Sequence, residues 1–196
     1  MKIVIIDYGA GNIKSIQFAF ERLGYQAVLS GDPTEIKNAD RVIFPGVGEA
    51  SNAMKKLKES ALDELIPNLK QPVLGICLGM QLLCKHSEEN DTSGLGVFDL
   101  NVRRFDNRLK VPQMGWNTIY NLDSELFEGL EEKSYMYLVH SYYAELHQDC
   151  IARANYGIEY ATAIQRDNFY GVQFHPEKSG AEGEKILKNF IELKCE

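Results

Sequence analysis

The amino-acid sequence predicts an α/β fold in which a mostly parallel central sheet carries helices on both faces. In the first half of the chain, short apolar runs alternate with segments of helical periodicity. In the second half, short β-rich segments follow one another between turn residues. We therefore expect three layers, an antiparallel or mixed extension of the sheet, and a single domain over residues 1–196.

The first half contains four segments with the composition of buried strands: residues 2–7, 25–29, 41–44 and 72–76. Helical segments stand between them. The first has Ile16, Phe20 and Leu23 on one face, and the second opens at Asp32-Pro33. A third helical segment follows PGVGE, and Ser60 with Asp63 are candidate caps of a further helix that runs to about Leu69. A helix over residues 78–86 completes this half.

The second half contains six short β-rich segments: residues 97–105, 116–120, 135–139, 151–155, 160–166 and 169–174. The chain then closes on a helix from about Ser179. Ser179 and Glu182 have the spacing of a capping box. The apolar positions predicted to face inward are Ile186, Leu187, Phe190 and Ile191.

Composition and net charge indicate an ordinary globular protein and argue against several other classes. Hydrophobic residues make up 44% and charged residues 25% of the chain, as in ordinary globular domains. The formal net charge of −7 argues against a nucleic-acid binder. No apolar run approaches the ~20 residues of a membrane-spanning helix. The four cysteines have neither a CxxC pair nor the spacing of zinc ligands. We expect a cytoplasmic protein with free thiols, without metal, cofactor, nucleic acid or membrane partner.

The sequence GICLG at residues 75–79 has the form of a nucleophile elbow. A residue on a sharp turn from strand to helix is crowded by its neighbours two positions away, and glycine at both places relieves that crowding. The N–H groups at the start of the following helix would stabilise a Cys77 thiolate, and that of Leu78 would serve an oxyanion hole. Taken alone, the motif fits a buried core cysteine equally well.

A thiol nucleophile needs a base, and GVQFHPEKS supplies a candidate. Pro176 excludes helical geometry at His175. In an extended segment, residues two apart point the same way, so His175 and Glu177 would share a side and the carboxylate would orient the ring. A lone His-Pro-Glu is otherwise typical of a surface turn. His140 ends a predicted strand and either lines a site or packs in the core.

Together, Cys77, His175 and Glu177 resemble the Cys-His-Glu triad of the class I glutamine amidotransferases, and the resemblance covers essentially the whole chain. It implies a three-layer class I glutamine amidotransferase-like fold and hydrolysis of glutamine to glutamate and ammonia through a cysteinyl thioester. It also implies two sets of supporting residues. The oxyanion hole would comprise Gly46, Val47, Gly48 and Leu78, and glutamine would bind Gln81, His140, Ser141 and Tyr142.

Three further stretches, IDYGAGNIKS, FPGVGEA and VPQMGWN, are similar to the glutaminase subunits of imidazole glycerol phosphate synthases. That resemblance implies a heterodimer with a (β/α)₈ cyclase subunit of histidine biosynthesis. The cyclase would use the ammonia to make imidazole glycerol phosphate and an aminoimidazole carboxamide nucleotide. The positions associated with the interface or ammonia passage are Asn12, Gln113, Met114, Trp116, Tyr137 and Lys178.

Three other functions stay open at this point. A paralogous glutaminase could feed another amination, for example in surface-sugar synthesis, and its active site would look the same. A cysteine peptidase or deglycase-like relative would share the elbow, but it does not usually combine HPE with PGVG and PQMGWN. A non-catalytic binding module is the least favoured, because both members of the nucleophile–base pair are intact.

Overall fold

The computed structural model describes residues 1–9 and 13–194. Its strands are β1 (Ile3–Ile6), β2 (Ala27–Ser30), β3 (Arg41–Phe44), β4 (Val73–Ile76), β5 (Cys84–Ser87), β6 (Thr92–Ser93), β7 (Phe98–Arg104), β8 (Gln113–Thr118), β9 (Tyr135–His140), β10 (Tyr142–Ala144), β11 (Cys150–Asn155), β12 (Glu159–Arg166) and β13 (Phe169–Val172). Its α-helices are α1 (Ile13–Arg22), α2 (Pro33–Lys37), α3 (Ala50–Glu59), α4 (Leu62–Leu65), α5 (Leu78–Leu83) and α6 (Gly180–Glu192).

The main sheet has the strand order β2-β1-β3-β4-β13-β12-β10-β7-β5-β6, with β11 also paired to β12. Strands β2, β1, β3, β4 and β13 run parallel to one another. From β13 onward the pairing is antiparallel, except for the parallel pair β5–β7. The predicted parallel sheet with a mixed extension is confirmed.

Both faces of the parallel region are buried, and strand β1 shows how. Ile3 and Ile5 belong to the hydrophobic cluster that includes side chains of α1 and α6. Val4 and Ile6 belong to the other cluster, which includes side chains of α3. Successive residues of a strand point to opposite faces, so a strand covered on both sides must be apolar throughout. This explains the continuous apolar run at the start of the sequence.

Strands β8 and β9 form a separate antiparallel pair. Gln113 lies opposite His140, and Trp116 lies opposite Tyr137. Side chains of β9, including Met136 and Leu138, enter the same cluster as those of α6. This packing sets the end of β9 beside the main sheet. None of the helices in the described ranges is long and apolar enough to span a membrane.

One predicted helix boundary and one predicted helix cap were wrong. Helix α5 ends at Leu83, because Cys84–Ser87 leaves the helix to pair with β7 as strand β5. Helix α4 ends at Leu65, but the 3₁₀ helix Ile66–Asn68 continues it to Leu69, close to the predicted end. The N-terminus of α4 has no side-chain cap, so the predicted cap was wrong. The hydroxyl of Ser60 instead donates to the carbonyl oxygens of Lys56 and Leu57, at the end of α3.

The capping box predicted at Ser179 was also wrong, because its hydroxyl is used elsewhere. Ser179 Oγ donates to the carbonyl oxygen of His175 at 2.7 Å and accepts from the N–H of Tyr137 at 3.0 Å. Helix α6 itself begins at Gly180, and its predicted inward face is buried. Ser179 therefore ties strand β9 to the segment that carries the candidate base.

Candidate active site

Cys77 occupies the turn between β4 and α5 with φ 54° and ψ −110°, a region that side chains rarely adopt. A Cβ at Gly79 would overlap the carbonyl oxygen of Phe44, and one at Gly75 would lie 2.8 Å from the backbone nitrogen of Met80. Both positions therefore require glycine, for close packing of strand, turn and helix. The strained turn with its two glycines is the geometry of a nucleophile elbow.

The sheet register places the candidate base beside this turn. Strand β13 is parallel to β4, with Val172 opposite Ile76. The N–H of Cys77 donates to the carbonyl oxygen of Val172 at 2.8 Å. Because parallel strands end at the same edge, the residues after Val172 run alongside the elbow. His175 is the third of these residues.

His175 and Glu177 form a buried pair, with Nδ1 and Oε1 2.8 Å apart. His175 itself is extended, as Pro176 requires. Glu177 lies in the 3₁₀ turn Pro176–Lys178, so the two side chains meet through a turn and not along an extended strand. The backbone N–H of His175 donates to the carbonyl oxygen of Tyr137 at 2.9 Å. Glu177 thus fixes the imidazole ring of His175, and Tyr137 fixes its backbone.

Burial by itself lowers the pKa of His175, but the neighbouring Cys77 sulfur and Glu177 carboxylate outweigh it and raise that pKa to about 10. The other ring nitrogen, Nε2, is buried and makes no formed hydrogen bond to the described residues. Catalytic hydrogen bonds are often loose before substrate binds. The arrangement is suited to an imidazolium whose Nε2 proton is available beside a thiolate.

A cavity of ≈ 330 Å³ opens at Cys77 and His175. Several residues singled out in the sequence for the oxyanion hole or for glutamine share its wall: Val47, Gly48, Leu78, Gln81, His140, Ser141 and Tyr142. The volume is at the lower end of the range for small-molecule sites. The cavity therefore has the size for a ligand as small as an amino acid.

Gly46, also predicted for the oxyanion hole, does not line the cavity. It packs against α5, where a Cβ on Gly46 would be 2.6 Å from the backbone nitrogen of Gly79. The hydroxyl of Tyr8 donates to the carbonyl oxygen of Pro45 at 2.9 Å. By contrast, Val47 is exposed, and Gly48 has φ +95° with open space around it. The PGVG segment is thus fixed at its first two residues and open at its last two.

His140 is buried in the cavity wall, where its Nδ1 donates to the carbonyl oxygen of Tyr142 at 2.8 Å. Its Nε2 lies 3.3 Å from the Tyr160 hydroxyl, which is also 3.0 Å from Gln113 Oε1. Burial lowers the pKa of His140 to about 4. The ring is therefore neutral at pH 7, with its proton on Nδ1.

Two polar residues at the described site have no counterpart in the sequence predictions. Gln173, buried completely, places Nε2 3.7 Å from Cys77 Sγ and accepts at Oε1 from Gln81 Nε2 at 2.8 Å. Gln173 lies two residues before His175, and residues two apart in an extended segment point the same way. The sequence could therefore have indicated that Gln173 faces the site. Glu89 brings a carboxylate to the cavity wall from a 3₁₀ turn, and no motif marks it.

The residues predicted for a partner interface divide into two groups. Met114 and Trp116 are exposed. The ring centroids of Trp116 and Tyr137 are 6.1 Å apart, and the Lys178 ammonium lies 5.9 Å from the Tyr137 centroid. Gln113, in contrast, is buried. Asn12 lies outside the described residues. Met114, Trp116, Tyr137 and Lys178 are hereafter called the aromatic patch.

A profile of the family "Glutamine amidotransferase class-I" matches residues 4–193. The chain belongs to this family. Several relatives carry the name imidazole glycerol phosphate synthase subunit HisH. The relative from Bacteroides thetaiotaomicron is 50% identical, over 98% of this chain and 100% of that protein. The relative from Escherichia coli (strain K12) is 48% identical with the same coverage. The resemblance inferred from the sequence is confirmed.

Solved structures of the class-I amidotransferase fold agree with the architecture. A putative GMP synthase protein from Thermoplasma acidophilum superposes with a TM-score of 0.76, over 98% of this chain and 92% of that chain, at 21% identity. A protein described as a glutamine amidotransferase gives a TM-score of 0.75 at 20% identity, over 96% and 97% of the two chains. At these identities the likeness concerns the fold.

Proposed function

We propose that this amidotransferase is the glutaminase subunit of an imidazole glycerol phosphate synthase and supplies ammonia to a cyclase in histidine biosynthesis. The observation that carries the proposal is the Cys77 elbow beside the buried His175–Glu177 pair. Relatives that bear the HisH name match nearly the full chain, which supports the choice of synthase.

In the proposed reaction, glutamine places its side-chain carboxamide beside Cys77. The thiolate forms a bond to the carboxamide carbon, and the carbonyl oxygen becomes an oxyanion. Backbone N–H groups of Leu78 and of the Gly46-Val47-Gly48 segment would stabilise that oxyanion. His175 Nε2 gives its proton to the departing nitrogen, the C–N bond breaks, and ammonia leaves a thioester behind.

The second half of the reaction regenerates the enzyme. Neutral His175 removes a proton from a water molecule as that water attacks the thioester carbon. The C–S bond then breaks, and glutamate leaves with the Cys77 thiolate restored. Glu177 holds Nδ1 throughout and stabilises the imidazolium form.

The amino-acid end of glutamine would lie against Gln81 and the His140-Ser141-Tyr142 segment. Glu89, a carboxylate in the same wall, has the charge to attract the α-ammonium group. Neutral His140 adds no charge to this end of the cavity. Recognition would therefore rest on directed hydrogen bonds and on one carboxylate.

The aromatic patch combines exposed Met114 and Trp116 with half-buried Tyr137. This is the composition of a protein interface, where tryptophan, tyrosine and methionine are enriched. Ammonia released into water at neutral pH becomes mostly ammonium, which is not a nucleophile. A covered route to the synthase partner avoids that loss. We assign the patch to the cyclase, which is a (β/α)₈ barrel in a heterodimer. Gln113, being buried, would support this surface or the ammonia passage from within.

The test uses the complex with a histidine-pathway cyclase and its nucleotide substrate. Cys77→Ala should abolish glutamine-dependent synthesis and leave ammonium-dependent synthesis intact. Cys150→Ala is the matched control, because Cys150 is a half-buried thiol that is not part of the cavity wall and should change neither activity. Glutamine turnover that survives in Cys77→Ala would refute the nucleophile. Turnover that the cyclase fails to stimulate would favour a paralogous glutaminase for another amination.

A further inference from the structure

A chain of hydrogen bonds through two side-chain amides, those of Gln81 and Gln173, links the cavity wall to Cys77. Gln81 Nε2 donates to the carbonyl oxygen of Tyr142 at 3.0 Å and to Gln173 Oε1 at 2.8 Å. Gln173 Nε2 then reaches Cys77 Sγ at 3.7 Å. Gln173 is completely buried, and Gln81 is 5% exposed. The chain thus joins a residue of the glutamine site to the nucleophile through one side chain that water does not reach.

The carbonyl oxygen of Tyr142 determines the direction of every bond in this chain. A backbone carbonyl only accepts, so Gln81 must turn its Nε2 toward it. The same nitrogen faces Gln173, which must therefore present Oε1 to Gln81. Its Nε2 is then left to point at the Cys77 sulfur. Reversing Gln173 would set an N–H against an N–H, which a buried site does not tolerate without loss.

This direction has a consequence at each end. Both N–H groups of Gln81 are used, and no other described residue donates to its Oε1, so that oxygen is the polar atom it can offer to the cavity. At the other end, a donor fixed in a water-free position faces the sulfur. Such a donor stabilises a thiolate more than a thiol, because hydrogen bonds to charged groups are the stronger ones.

We propose that Gln173 is a positioning residue that couples the two halves of the site. It holds Gln81 with its carbonyl oxygen toward the α-ammonium group of the substrate, and it donates a hydrogen bond to the Cys77 thiolate. The part that concerns the substrate rests on the proposed glutaminase function. The part that concerns the thiolate does not, because it can be read without turnover.

Two substitutions separate these roles. Gln173→Glu keeps an acceptor for Gln81 and removes the donor to the sulfur. Its KM for glutamine should stay within about threefold of wild type while kcat falls about tenfold or more. Gln173→Met has a similar volume and removes both bonds, so KM should rise and kcat should fall. Both are measured on the assembled complex with saturating nucleotide substrate.

The decisive readout is the rate of alkylation of Cys77 by iodoacetamide between pH 5 and pH 10, with the adduct located by peptide mapping. In Gln173→Met the profile should move to higher pH by about one unit, because a bond to the thiolate is lost. In Gln173→Glu it should move at least as far, because the introduced carboxylate also repels the thiolate. Thr162→Val is the matched control. Thr162 is equally buried, its carbonyl accepts from the N–H of Gln173, and its own hydroxyl has no partner within the described chain. It should change neither the profile nor KM.

An unchanged alkylation profile in a folded Gln173→Met protein would overturn the role at the thiolate. An unchanged KM in that variant would overturn the coupling to Gln81. Circular dichroism and urea unfolding establish that each variant is folded. Should Glu and Met both prevent folding, Gln173→Asn keeps a buried amide that is one methylene too short to span Gln81 and the sulfur, and it should move the profile in the same direction.

Discussion

Two buried histidines face the same cavity and have opposite protonation states. The pKa of His175 lies at about 10, whereas that of His140 lies at about 4. Their side chains are almost equally hidden, and burial lowers the pKa of each. The difference therefore comes from what each ring touches.

His175 contacts groups that carry or can carry negative charge, Glu177 and the sulfur of Cys77, and both favour the imidazolium. His140 contacts the carbonyl oxygen of Tyr142 and the hydroxyl of Tyr160, which are neutral. The hydrogen bond to Tyr142 offsets only part of the desolvation, and the charge of His175 lowers the pKa of His140 further. We therefore expect His175 to transfer a proton during the reaction and His140 to keep a fixed hydrogen-bond pattern.

The largest expected effect tests this division directly. His175→Asn removes the proposed proton donor and base, and glutaminase kcat should fall about 10³-fold. His140→Asn retains an N–H that can reach Tyr142, so it should cost about tenfold or less, mainly in KM. Steady-state assays of the two complexes provide the comparison, with ammonium-dependent synthesis as the control for assembly. Equal losses in kcat would show that both rings take part in proton transfer.

A second, smaller effect should follow from Glu177→Gln. The variant replaces a charged hydrogen bond with a neutral one, worth about 1.5–3 kcal/mol, so kcat should fall roughly 10- to 100-fold. The pKa of His175 should also fall, because burial then has less opposition.

The pH dependence of stability follows from the raised pKa. Stabilisation by a charged His175 is fully present below the unfolded-state pKa of about 6.5 and is lost as pH rises through about 10. The destabilisation caused by Glu177→Gln should therefore shrink over that window. Urea unfolding at pH 6.5 and pH 10 measures it, and a difference that grows with pH would contradict the assignment.

His140 should produce the opposite slope. Its folded pKa is depressed to about 4, so its contribution is present above pH 6.5 and is lost as pH falls toward 4. Between pH 7.5 and pH 5, wild type should lose about 2 kcal/mol that His140→Asn does not lose. Urea unfolding of both proteins at the two pH values gives this difference. Parallel losses would mean that His140 is not the titrating group.

The part of the candidate site around Cys77, His175 and Glu177 could be predicted from the sequence because its geometry has local causes. Gly75 and Gly79 flank Cys77 for a steric reason, and Pro176 fixes the backbone at His175. Even here the geometry differed in detail, since Glu177 reaches His175 through a 3₁₀ turn. The alternation of strands and helices similarly predicted the parallel sheet.

Other features depend on contacts between distant parts of the chain, and a local pattern does not determine such contacts. Gln173 meets Gln81 only because β13 lies beside β4 in the sheet. Ser179 has the spacing of a helix cap, yet its hydroxyl bonds His175 and Tyr137 because strand β9 packs there. Strand β5 replaced the end of a predicted helix because β7 was available to pair with it.

The smallest effect concerns Lys178, whose ammonium lies 5.9 Å from the centroid of the Tyr137 ring. An exposed cation–π contact is worth about 0.5–1 kcal/mol, so Lys178→Met should lower the unfolding free energy by no more than that. Lys58→Met, at an exposed lysine of α3, is the control. The carbonyl oxygen of Tyr137 accepts the backbone N–H of His175. Any change that Lys178→Met makes to the pH dependence of the unfolding free energy should therefore appear near pH 10, the pKa of His175. Among the described residues, no hydrogen bond or ion pair joins Lys178 to His140. An equal change in the unfolding free energy near pH 4, the pKa of His140, would therefore show that the two histidines titrate together.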